Sequence, residues 1–84
     1  MEIIFRKQFK KKFKKLPMKV QDRFHERLEL FIKNKTHITL NNHFLNKPFA
    51  DCRSINITGD YRAIFTEENN AIIFITIGTH AELY

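Results

Sequence analysis

One cysteine, Cys52, among 84 residues leaves no partner thiol, which excludes an intramolecular disulfide framework and any multi-cysteine zinc site. A reducing, cytoplasmic setting is the expectation that follows. Glycine is nearly as scarce: Gly59 and Gly78, 19 positions apart, are the only two, so there is no glycine-rich loop to cradle a nucleoside triphosphate. No side-chain spacing matches a metal site, and no metal or cofactor is expected. Apolar runs are short, none approaching the roughly 20 residues of a membrane span. Ile3-Ile4-Phe5 precedes the basic segment Lys10 to Lys15, unlike a secretory leader, in which charge comes first. A soluble protein with no membrane partner is expected.

What is present is an ordinary globular mix, 43% hydrophobic and 29% charged, in a length suited to one domain spanning residues 1–84. The balance of charge is +6 at neutral pH, which points to a polyanionic partner: nucleic acid, an anionic membrane or an acidic protein. Nine of the fifteen basic residues fall within the first 23 positions. There Phe5, Phe9, Phe13 and Leu16 recur at helical spacing and turn the intervening lysines to the opposite face. Such a face serves either as a solvated surface or as a phosphate-contacting one. Pro17 interrupts the pattern, and Val20, Phe24, Leu28 and Phe31 resume it over Met18 to Asn34, predicting a second helix folded back on the first. His25 flanks this stripe as a surface or boundary residue.

From Lys35 to Asp51 the periodicity stops in a polar, asparagine-rich segment punctuated by Pro48. It reads as a long loop pinned to the core by Leu40, Phe44, Leu45 and Phe49, and it carries His37 and His43. Arg53 to Ile57, Tyr61 to Phe65 and Ala71 to Ile77 read as three antiparallel strands joined by turns at Thr58-Gly59-Asp60 and Glu67 to Asn70. Ile72 to Ile75 is apolar on both faces, so the last strand is central, with Glu2 to Phe5 beside it as a fourth. The expected class is α+β, in the order β-α-α-β-β-β, with a helical hairpin on one face of a small, mainly antiparallel sheet. The other face is left partly open for a ligand. Cys52, before an apolar strand, reads as a packed thiol.

Three segments remain as candidates for chemistry: Asn42-His43-Phe44-Leu45, Arg53 to Arg62 across the first hairpin, and Ile77-Gly-Thr-His-Ala-Glu-Leu-Tyr84. These, with the strand order and the Phe-Lys-Lys-Lys-Phe-Lys-Lys-Leu-Pro helix, resemble the RelE/ParE superfamily of toxin-antitoxin toxins, in particular its YafQ-like branch. The resemblance covers essentially the whole chain. It implies a microbial-RNase-like fold, an endoribonuclease (mRNA interferase) that cuts mRNA in the ribosomal A site, and a cognate antitoxin that neutralises it in a hetero-oligomer. Carried over by position, it marks His43, Asp60, Tyr61, His80 and Tyr84. Two positions depart from the pattern: Asn56 replaces a histidine and Thr76 an arginine.

The chemistry of such a reaction can be stated on its own. Metal-independent RNA cleavage uses the 2′-hydroxyl as nucleophile, a base to take its proton, cationic donors on the phosphate and an acid for the departing 5′-oxygen. Histidine suits proton transfer because its unperturbed pKa lies near 6.5, and arginine suits phosphate because its fork donates in a plane. The expected roles are His80 as acid, His43 or Asp60 as base, and Arg53 or Arg62 on the phosphate. Asn56, Tyr61 and Tyr84 are expected to contact the RNA, with Tyr84 stacking on the scissile nucleotide. Lys11, Lys12 and Lys15 would face ribosomal RNA. The superfamily also includes ParE-like toxins that poison DNA gyrase without nuclease activity, and that reading stands as the alternative. An inhibitor acting by binding alone has no need of His43, Asp60 and His80 around one cleft.

Overall fold

A computed structural model describes residues 1–47 and 49–84; the expected break at Pro48 falls outside the described residues. Strand β1 (Glu2–Phe5) leads into helices α1 (Lys7–Lys14) and α2 (Met18–Lys33), followed by a 3-10 turn over Ile38–Leu40. Then come β2 (His43–Phe44), β3 (Arg53–Asn56), β4 (Tyr61–Glu68), β5 (Ala71–Thr79) and the one-turn helix α3 (His80–Leu83). The strands form one sheet in the order β1-β5-β4-β3-β2, parallel at β1–β5 and antiparallel elsewhere. The central place of β5 follows from its content: seven of its nine residues are buried, as a strand covered on both faces requires.

The helical hairpin is closed at Pro17, which begins α2, with Gln21 Nε2 donating to the Leu16 carbonyl at 3.0 Å. Its inner face is aromatic. Phe9 and Phe24 pack at 5.3 Å between centroids, Phe5 stacks on Phe74 at 5.6 Å, and Phe31 meets Phe65 edge-on at 5.1 Å. Each such ring contributes about 1.5–3 kcal/mol by leaving water. The β4–β5 turn uses Asn69 and Asn70, both at positive φ, the backbone hand a two-residue hairpin needs.

Five strands form where four were expected, and α3 adds a third helix. The extra strand β2 is two exposed residues long, too short to leave a periodic pattern. The second sheet face is partly covered: Cys52, Ile64 and Leu83 are buried there with Leu45, Phe49 and Ile75 around them. Leu40, Leu45 and Phe49 thus pin the loop, but Phe44 does not; it is 71% exposed and lies against Arg53 instead. Among the described residues, no helix is long and apolar enough to cross a membrane.

Candidate active site

Alternation along β4 sends Tyr61, Ala63 and Phe65 toward the helices and Arg62 and Ile64 to the opposite face. On that opposite face, between the β2 loop and α3, opens a cleft of about 460 Å3 whose lining includes His43, Arg62, His80 and Tyr84. The sheet register sets Arg62 between Asn56 of β3 and Gly78 of β5. His43, four strands over from β1, pairs with Ser54.

His43 is held by its ring. Its Nδ1 lies 2.7 Å from the Asn41 carbonyl, and a carbonyl oxygen only accepts, so Nδ1 carries the hydrogen; in the neutral ring the lone pair is then on Nε2. Asn41 turns its backbone toward this contact by adopting a left-handed conformation at φ 47°. A neutral imidazole fixed in this tautomer is prepared to accept a proton at Nε2. His37 is fixed the other way, its Nδ1 accepting from Thr39 N–H at 3.1 Å, and serves as the cap of the 3-10 turn. His25 leans edge-on against Phe13 and Phe24 at the surface.

His80 begins α3, whose single turn lacks the length to nucleate alone. A capping box holds it: Thr79 Oγ1 accepts from Glu82 N–H at 3.2 Å, and Glu82 Oε1 accepts from Thr79 N–H at 2.8 Å. Hydrogen bonding of the Glu82 carboxylate by Thr79, through its backbone N–H first and its side chain second, lowers the Glu82 pKa, and Lys12 lowers it further. The His80 N–H is bound by the Asp60 carbonyl at 2.9 Å, and its ring lies 4.7 Å from that of Tyr84, one turn on. Arg62 is anchored by Nη1, which donates to the carbonyls of Thr58, Gly59 and Tyr61 at 3.1, 3.1 and 3.2 Å. Among the described residues its guanidinium makes no other hydrogen bond, so the rest of the fork can meet a phosphate.

The remaining candidates lie elsewhere. Asp60 is exposed at the β3–β4 turn and is not part of the cleft lining; what reaches His80 is its backbone carbonyl. Arg53 stands on the far side of Phe44, in a pocket with Asp51 and Glu67. Asn56 pairs with Arg62 across the strands but is not part of the cleft lining; its amide oxygen is buried without a partner, as are the hydroxyls of Ser54 and Thr76. Tyr61 faces the helices and shares a separate groove of about 210 Å3 with Lys12, Lys15 and Glu82; Lys11 is exposed on α1. The short helix α3 therefore turns His80 to one groove and Glu82 to the other. Among the described residues, no three His, Cys, Asp or Glu side chains come together as a metal-holding group. The sequence does carry a sign of α3 that strand patterning passes over: Thr79-x-x-Glu82 is a capping-box spacing.

A family model described as bacterial toxin of type II toxin-antitoxin system, YafQ, matches residues 1–84. No curated protein matches the chain significantly. Among solved structures, YafQ from E. coli strain BL21(DE3) is similar with a TM-score of 0.81 at 21% identity, covering 99% of this chain and 97% of that one. The E. coli DinJ-YafQ complex superposes with a TM-score of 0.71 at 22% identity over 99% of this chain and 97% of that one. A YoeB-YefM complex from Staphylococcus aureus does so with a TM-score of 0.76 at 19% identity, over 95% and 97%. Likeness at these identities establishes a RelE-like toxin fold.

Proposed function

The chain belongs to the YafQ family of bacterial toxins of type II toxin-antitoxin systems, and we propose that it is a ribosome-dependent endoribonuclease that cleaves mRNA in the ribosomal A site. The single observation that carries this reading is the meeting of His43, Arg62 and His80 around one cleft, with His43 Nδ1 tied to a carbonyl. Nε2 of His43 takes the proton of the 2′-hydroxyl. That oxygen attacks the adjacent phosphorus, and the bond to the 5′-oxygen breaks, leaving a cyclic phosphate. Arg62 holds the charge that builds on the phosphate, His80 protonates the departing oxygen, and Tyr84 supports the nucleotide by stacking. No metal enters this scheme. Asp60 contributes through its backbone, by fixing His80.

The wider basic surface fits the same reading. Lys11, Lys12 and Lys15, with Tyr61 beside them, face ribosomal RNA, and Asn56 supports Arg62 from the neighbouring strand. The proposed partner that silences the toxin is a cognate antitoxin, in a hetero-oligomer such as those formed by DinJ with YafQ and by YefM with YoeB. An acidic, partly apolar antitoxin segment would suit the groove of about 270 Å3 lined by Phe5, Phe9, Phe13 and Phe24 together with Lys10 and Lys14.

Programmed ribosomes incubated with wild type and with His80→Ala test the proposal. Wild type is expected to cut the message at A-site codons. His80→Ala is expected to bind ribosomes normally and to cut about 100-fold or more slowly. Absence of cleavage by either protein, accompanied by inhibition of DNA gyrase, would overturn it in favour of a ParE-like action.

A further inference from the structure

We propose that Arg53 positions His43 for proton transfer and does so without contacting RNA; the proposal rests on the reading of His43 as a catalytic group. Strand β2 is two exposed residues at the edge of the sheet, a poor foundation for a base that has to be held in place. One side chain compensates. Arg53 pairs across the strands with Phe44, its Nε donates to Asn42 Oδ1 at 2.7 Å, and its guanidinium carbon lies 4.0 Å from the centre of the Phe44 ring. The residues immediately before and after His43 are thus both fastened to the same guanidinium.

The fastening extends inward. Asn42 Nδ2 donates to the Lys35 carbonyl at 2.8 Å, tying the segment to the chain that leaves α2. On the other side the Leu45 N–H meets the Cys52 carbonyl at 3.0 Å. Only a planar, permanently charged group can lie over a ring and direct a hydrogen bond from its edge at once, so lysine is no substitute here. The surroundings of Arg53 also argue against a phosphate ligand. Its pocket contains Asp51 and Glu67 and lies across Phe44 from the cleft; Glu67 is paired with Lys35 at 3.2 Å, while two carboxylates in one small pocket disfavour an anion. Arg62, anchored through one nitrogen, has no such neighbours in the cleft lining.

The test compares single-turnover cleavage on saturating programmed ribosomes, ribosome affinity as a function of salt, and the nitrogen chemical shifts of the His43 ring. Arg53→Met is expected to slow cleavage about tenfold or more, the scale of a misplaced catalytic group, with the salt dependence of binding unchanged. The shifts should move from the Nδ1–H tautomer toward a mixture of the two. Arg53→Lys is expected to be as slow as Arg53→Met. Asn42→Ala is expected to slow cleavage too, and to add little when combined with Arg53→Met, because both remove one fastening. His43→Ala separates the two claims: full cleavage by His43→Ala would sink the catalytic reading, whereas slow His43→Ala with fully active Arg53→Met would sink the positioning role alone. A salt slope that falls by about one phosphate contact in Arg53→Met, with activity kept in Arg53→Lys, would make Arg53 a phosphate ligand and overturn the proposal.

Discussion

At the scale of single residues, hydrogen bonds decide what like side chains can do. His37 and His43 lie six positions apart, yet one accepts at Nδ1 and caps a turn while the other donates from Nδ1 and keeps Nε2 open. Arg53 and Arg62 divide in the same way, one braced by a ring and an amide, the other held by turn carbonyls beside the cleft. Cys52 shows the opposite outcome, a reactive type made inert. Burial raises its pKa, the Asp51 carboxylate adds to the rise, and Arg6 opposes it. Because the folded thiol holds its proton more tightly than the unfolded one, its contribution to stability is complete below the ordinary thiol range and is lost as pH rises from there through the raised value. Iodoacetamide is therefore expected to leave Cys52 of the native protein largely unmodified at neutral pH and to label it readily after unfolding; equal rates in both states would contradict the packed thiol. As candidates, His43 and His80 were legible in the motifs, and Arg62 as one of two arginines. Their tautomers and anchors were not, because these depend on carbonyls set in place by the left-handed backbone at Asn41 and by the turn at Thr58-Gly59-Asp60.

At the scale of elements, legibility followed length. Helix α2 and strand β5 run for 16 and 9 residues, long enough for the spacing of Phe24, Leu28 and Phe31, or the unbroken run Ile72 to Ile75, to stand out. The two residues of β2 and the four of α3 carry the site but offer no period to read. They are held by individual bonds. For α3 this makes order depend on the charge of Glu82, which accepts the Thr79 N–H. With the Glu82 pKa lowered mainly by that bond, the cap is complete above the ordinary carboxylate range and is lost only as pH falls through the lowered value. A pH titration followed by the Thr79 amide resonance is expected to show its midpoint below that of an unperturbed glutamate, and to disappear in Glu82→Gln. A midpoint at the ordinary value would mean that the box does not form in solution.

For the molecule as a whole, charge and chemistry occupy different ground. The lysines of α1 lie on the helical side of the sheet, Lys12 and Lys15 beside Tyr61, while His43, Arg62, His80 and Tyr84 meet on the other. Changing Lys11, Lys12 and Lys15 together to glutamine is expected to reduce the slope of log affinity for ribosomes against log salt by about two to three, and to leave single-turnover cleavage at saturation near that of wild type. An unchanged slope would remove the lysine face from the docking surface. The general disposition of helices and strands was legible because the charge and the phenylalanines alternate cleanly in α1; the division into two grooves was not, since it depends on α3 standing between them. The parallel pairing of Glu2–Phe5 with residues 71–74 has a further consequence, in the order of events during synthesis. Residues separated by nearly the whole sequence must find each other before β5 has neighbours on both sides, and such distant pairings form slowly. A nascent chain carrying only the helical hairpin has rings without a sheet to cover them and histidines without a cleft. The cleft between the β2 loop and α3 is therefore assembled only once the late strand β5 is paired on both sides.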